Sequence, residues 1–194
     1  YSPKAMIKTR NFWLYFVWCI MTSAIGMALL GQIATISGSV GMSDASCALM
    51  VSLFAVFNGV GRFVFGSFYD KKGRLLTMTI FGIFFTIGGL ALLFGVKLAN
   101  AVLVIVSLAL FGIAYGGVTP TNANFARSFY GNKNYATNFS LVNFNLLVAV
   151  FLGQYVGSTL YMKSGGYLAT AIALVVLSVL SLVIQFFITK PETK

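Results

Sequence analysis

Apolar positions along this chain come in long unbroken runs rather than in two-residue alternation or in one-faced helical stripes. Six such runs, at about 12–37, 47–68, 76–96, 101–124, 138–161 and 167–189, are separated by short polar breaks. At about 1.5 Å of rise per residue, roughly 20 helical residues cross a hydrocarbon core of about 30 Å, so each run predicts one spanning helix. Glycine, serine and asparagine inside the runs fit that reading, because small and polar residues are how membrane helices pack against one another. The predicted fold class is all-α integral membrane, a six-helix transmembrane bundle.

Composition agrees: 59% hydrophobic and 8% charged residues lie far from the balance of a water-soluble domain. Charge adds orientation. Lys4, Lys8, Arg10, Lys71, Lys72, Arg74, Arg127, Lys133, Lys190 and Lys194 fall on one side of the predicted spans, and only Lys97 and Lys163 fall on the other. By the positive-inside rule the first group faces the cytoplasm, with both termini there. The predicted location is the plasma (inner) membrane, multi-pass. The net charge of +10 then reflects topology and anionic lipid headgroups and calls for no nucleic-acid partner.

Candidate chemistry is narrowed by subtraction. The chain has no histidine, and its acids are Asp44, Asp70 and Glu192, all outside the predicted spans. No acid–base pair, activated nucleophile or metal-ligand set can be assembled at membrane depth, so no catalytic residue, metal or cofactor is expected. Cys19 and Cys47 lack metal-ligand spacing and read as small packing residues. The first residues, "YSPKAMIKTR", lack an initiator Met, and the first run is too long for a signal-peptide core; the chain reads as a fragment.

One cation stands apart. Arg62 lies inside the second run, eight residues before Asp70, about 12 Å of helix. A charge at that depth costs about 2.5–3.5 kcal/mol on insertion scales and marks function by default. Asn58 lies one turn earlier on the same face, with Phe54 and Phe65 continuing the stripe. Three readings are open: a substrate anion site, a bond to a neighbouring helix, or a side chain snorkelling to the interface.

The break after the second run, "GSFYDKKGRL", places Gly66, Asp70, Lys71, Gly73 and Arg74 at the spacing G-x-x-x-D-[RK]-x-G-[RK]. This resembles the loop between the second and third helices of each half of the major facilitator superfamily; the alternative is an ordinary basic loop anchoring two helices. Gly66 permits close helix approach, Gly73 a sharp turn, and Asp70 a charge near the start of the next helix. The resemblance implies that the chain is half of a twelve-helix fold, built from two inverted three-helix repeats. The end of the chain, where only "KPETK" follows the last run, matches the C-terminal half, with the N-terminal six-helix half as partner. Asp70 and Arg74 are expected to govern the cytoplasmic gate.

Further likeness lies in "MIKTRNFWLYFVW", "FNGVGR" and "PTNANFARSFYGNKNYATNFS", which resemble the oxalate:formate antiporter family. That resemblance implies a secondary transporter of small organic anions, working by exchange and alternating access. It places the carboxylate-holding arginine at Arg62 and pocket aromatics at Phe111 and Tyr115. It puts the family's second cation at Val142, beside Asn143, so one carboxylate suits this chain better than two. Related monocarboxylate porters carry an aspartate where Asn58 stands. A proton-coupled monocarboxylate symporter and a non-transporting six-span scaffold or sensor are the alternatives. "GIAYG" at 112–116 and "GQYVG" at 153–157 predict close helix contacts, and Gly116, Gly117 and Pro120 predict a weakened or kinked fourth span.

Overall fold

The computed structural model describes residues 1–189; Lys190, Glu192 and Lys194 lie outside the described residues. The elements are α1 (Pro3–Met6), α2 (Arg10–Leu30), α3 (Ile33–Ser39), α4 (Asp44–Lys97), α5 (Ala101–Tyr130), α6 (Tyr135–Asn143), α7 (Asn145–Gln154), a π-helical turn (Tyr155–Thr159), α8 (Leu160–Ser164), α9 (Leu168–Ile184) and a closing 3-10 turn (Gln185–Phe187). An apolar chain that leaves water must satisfy its backbone internally, and helices do so segment by segment. Side chains start several of them: Thr9 Oγ1 accepts from Phe12 N at 3.3 Å, Ser43 Oγ from Ser46 N at 3.3 Å, and Asn100 Oδ1 from Leu103 N at 3.1 Å.

Among the described residues, five helical stretches are long and apolar enough to cross a membrane, including the 54 residues of α4. Gly73 interrupts α4 with φ 77 and ψ 176, a conformation open essentially to glycine alone. The polar loop expected between the second and third runs is thus reduced to one residue. Asp70 falls in the last helical turn before that residue, not at the start of the following helix as expected.

Two other expectations change. The first run does not form one helix to residue 37: α2 stops at Leu30, and Gly31 and Gln32 separate it from α3. The fourth run is not interrupted, since α5 stays helical through Pro120 and continues to Tyr130. The fifth run carries the breaks instead, at Phe144 between α6 and α7 and again at the π turn. No proline or glycine marks Phe144, so nothing in the local sequence announces it.

The closest packing joins the first arm of α4, residues 44–72, to α5. A Cβ at Gly61 would overlap the carbonyl oxygen of Ile113, and one at Gly116 would overlap the carbonyl oxygen of Asn58. Gly112 faces the Phe54 carbonyl and Phe57 in the same seam. A second glycine contact ties α7 and the π turn to α2, where Gly153 and Gly157 sit against the carbonyls of Ala24 and Ala28. Both small-residue patterns read from the sequence are therefore sites of backbone-on-backbone approach. Aromatic rings fill the interior, with Tyr15 stacked on Phe125 at 3.5 Å and Phe65 tilted against Phe81 at 4.3 Å between centroids.

Gly116→Ala places a methyl group against backbone that cannot rotate away. The expected cost is about 1–3 kcal/mol, read as a lower melting temperature in detergent; the same change at Gly59, where nothing lies within 4 Å, is expected to leave melting almost unchanged.

Candidate functional site

The arm 44–72 has its middle at (44 + 72)/2 = 58, so Asn58 marks its centre and Arg62 lies four residues beyond, about 6 Å. Both open into one cavity of about 380 Å³, lined by Leu30, Phe54, Ala55, Asn58, Gly59, Arg62 and Tyr115. The first, second and fourth runs each contribute to it. Asn58 is held in place by its own backbone, which is locked on Gly116, while the Tyr115 ring rests on Gly26 of α2. Arg62 is exposed into this space, and no acidic side chain lines it. Among the described residues Arg62 has no hydrogen-bond or ion-pair partner. The bond to a neighbouring helix, one of three readings of this cation, is absent here.

Three of the five residues singled out for the site are thus brought together: Arg62, Asn58 and Tyr115. Phe111 is not with them. It is fully buried in the core, its ring 6.0 Å from that of Phe85. Phe65 likewise leaves the Arg62 stripe to pack on Phe81. Asn143 does not line the cavity either. Its Oδ1 accepts from Asn122 Nδ2 at 3.1 Å, and the neighbouring Val142 is fully buried in the core.

Asn122 belongs to a polar seam that sequence reasoning missed. Its Oδ1 accepts from the Tyr15 hydroxyl at 2.9 Å and from the Cys19 thiol at 3.1 Å. One turn along α2, Ser23 Oγ donates to Asn145 Oδ1 at 3.2 Å, and Asn145 Nδ2 donates to the Val142 carbonyl. Cys19 is therefore more than a packing residue. The seam was traceable in the spacing of Tyr15, Cys19 and Ser23, four residues apart on one helical face. The break at Phe144 falls between its two asparagine anchors, Asn143 bound to α5 and Asn145 bound to α2.

At the Gly73 end of the bundle, Tyr69, Asp70, Gly73, Arg74, Asn124, Arg127, Ser128, Phe129 and Asn132 line a second cavity of about 580 Å³. Gly66 lets α5 come near, its missing Cβ 3.5 Å from Pro120 Cβ. Lys71 and Asp70 are exposed. Arg74 binds the end of the last helix: Nη1 donates to the Gln185 carbonyl at 2.9 Å and Nη2 to the Ile188 carbonyl at 2.7 Å. The Gln185 carbonyl also accepts from Ile188 N at 3.3 Å, so the cation adds a second donor there and meets the negative end of the helix dipole. Among the described residues no three His, Cys, Asp or Glu side chains gather in a way that could hold a metal ion.

Residues 4–194, nearly the whole chain, match the Major Facilitator Superfamily. The chain belongs to that family. A relative in Escherichia coli (strain K12), the "Uncharacterized MFS-type transporter YhjX", is 26% identical over 143 residues. The match takes in 73% of this chain and 35% of the relative, so the chain spans about a third of that protein's length. Membership in the facilitator superfamily, together with the long apolar helices, makes this a multi-pass membrane protein.

Replacing Asn122 with leucine is expected to strand the Tyr15 hydroxyl, the Cys19 thiol and the Asn143 amide at once. Leaving buried polar groups unpaired costs about 1–3 kcal/mol each, so Asn122→Leu should lower the melting temperature in detergent. Asn122→Gln, which keeps the amide, should lower it less.

Proposed function

We propose that this chain is the C-terminal six-helix half of a secondary transporter for small organic anions, most simply monocarboxylates, moved by exchange and alternating access. The observation that carries the reading is the Arg62 cavity: one guanidinium, one amide and one phenol among apolar walls, with no acid beside them. Such a guanidinium lacks a counter-ion, and a bound carboxylate supplies one through charge-assisted, bidentate hydrogen bonds. Asn58, where a titratable acid would serve proton coupling, favours exchange over symport. A single cation favours one carboxylate over two.

Six spans follow if α4 crosses twice. Its arms of 29 and 24 residues, 44–72 and 74–97 on either side of Gly73, would each reach about 36–43 Å, enough for a core of about 30 Å. The basic residues then set both termini in the cytoplasm of an inner-membrane protein. The two inverted three-helix repeats would begin at α2 and α5, the helices that bring Leu30 and Tyr115 to the cavity. The N-terminal half would close it from the side on which Arg62 is exposed.

Transport by the intact protein in liposomes tests this. Labelled monocarboxylate should accumulate faster when the lumen is preloaded with another carboxylate. Arg62→Lys should cripple uptake although the charge survives, because a compact ammonium cannot reproduce the planar fork. Arg62→Ala should be worse, with substrate binding weakened by roughly 1.5–3 kcal/mol, about ten- to hundredfold. Normal substrate-induced stabilisation of the Arg62→Ala protein would sink the anchor role.

A further inference from the structure

We infer that Gly26, on the first helix, sets the length of acid that the Arg62 cavity accepts, by fixing where the ring of Tyr115 rests. The inference builds on the reading of that cavity as the anion site. Gly26 is buried and carries no chemistry of its own, yet a Cβ there would overlap Cγ, Cδ2 and Cε2 of the Tyr115 ring. The whole near edge of the ring thus lies in the space that a methyl group would take. Leu30, one turn further along α2 on the same face, is itself a wall of the cavity. The first helix therefore shapes this volume twice, once with a side chain and once by lacking one.

A methyl group at Gly26 leaves the ring only one way to move. The backbone of α5 cannot retreat, because the next residue, Gly116, is pressed on the Asn58 carbonyl and Gly112 on the Phe54 carbonyl. Phe54, which forms part of the opposite wall, is 1% exposed and equally fixed. The ring then swings into the cavity that it already lines. Arg62 and Asn58 lie on the opposing helix and keep their place, so the head of the acid is still held. What shrinks is the apolar remainder lined by Leu30, Phe54 and Ala55, the part that takes the hydrocarbon tail. Room for one methylene in an apolar pocket discriminates by about tenfold or more.

The test is a length series of unbranched monocarboxylates, formate to hexanoate, measured by thermal stabilisation and by competition for uptake in the intact transporter. Gly26→Ala should lose about tenfold in affinity for the longest acid that the unaltered protein binds, relative to the shortest. Tyr115→Ala alone should extend the accepted length, and Gly26→Ala with Tyr115→Ala should recover the long acids. An unchanged length profile in Gly26→Ala overturns the role of Gly26, and so does a uniform loss that Tyr115→Ala fails to relieve. Should Gly26→Ala not fold, an unchanged profile in Tyr115→Ala overturns it equally. If no acid stabilises the unaltered protein, the anion reading falls and this inference with it. If acids stabilise it and Arg62→Ala abolishes the effect, the anion reading stands whatever Gly26 does.

Discussion

Backbone contact between two helices governs the rest of this molecule. Where Gly61 meets the Ile113 carbonyl and Gly116 the Asn58 carbonyl, no side chain separates the first arm of α4 from α5. In a hydrocarbon medium apolar burial alone gives helices little reason to associate, so close van der Waals contact and polar bonds must hold them. The same contact sets the site. It fixes the height of Asn58 against Tyr115 and leaves Arg62, four residues on, directed into the space between them and α2.

The polar seam and the Arg62 cavity have opposite energetics. Tyr15, Cys19, Asn122, Asn143, Ser23 and Asn145 have found one another in the interior and are satisfied there. Arg62 is not satisfied by protein and stands in an open cavity. A buried polar group without a partner costs more than a bond returns, so a seam left half-made would be worse than an apolar one. An unpaired cation is tolerable only with solvent or a ligand in reach. Asn122, Asn143 and Asn145 thus serve assembly, while Arg62 and Asn58 line an open space.

Much of this was legible in the sequence, and the limits have a common cause. Run length and composition gave the helices, and the glycine spacing at 112–116 and 153–157 gave the close contacts. The four-residue step from Asn58 to Arg62 gave their shared face. Facing failed for Phe111 and Phe65, because in a membrane helix both the core side and the lipid side are apolar and periodicity cannot separate them. Phe111 points inward to pack against Phe85 of another helix, a fact of pairing rather than of local pattern. The irregularity at Phe144 was equally hidden, because the residue keeps a helical backbone (φ −59, ψ −18) and no proline or glycine marks it. Arg74 matched the family's loop by spacing, but its contact with the Gln185 and Ile188 carbonyls joins residues 111 and 114 positions apart.

The polar seam also has a consequence in time. The partners of Tyr15, Cys19 and Ser23 lie 107, 103 and 122 residues further along the chain. At synthesis rates of about 5–20 residues per second, α2 exists for roughly 5–25 s before α5 and α7 emerge. During that interval its polar stripe lacks these three partners, although a hydroxyl can bond its own helix, as Thr22 does with the Trp18 carbonyl at 2.9 Å. The first helix is thus made incomplete, and what retains it beside the later helices is the bonding that it has been waiting for.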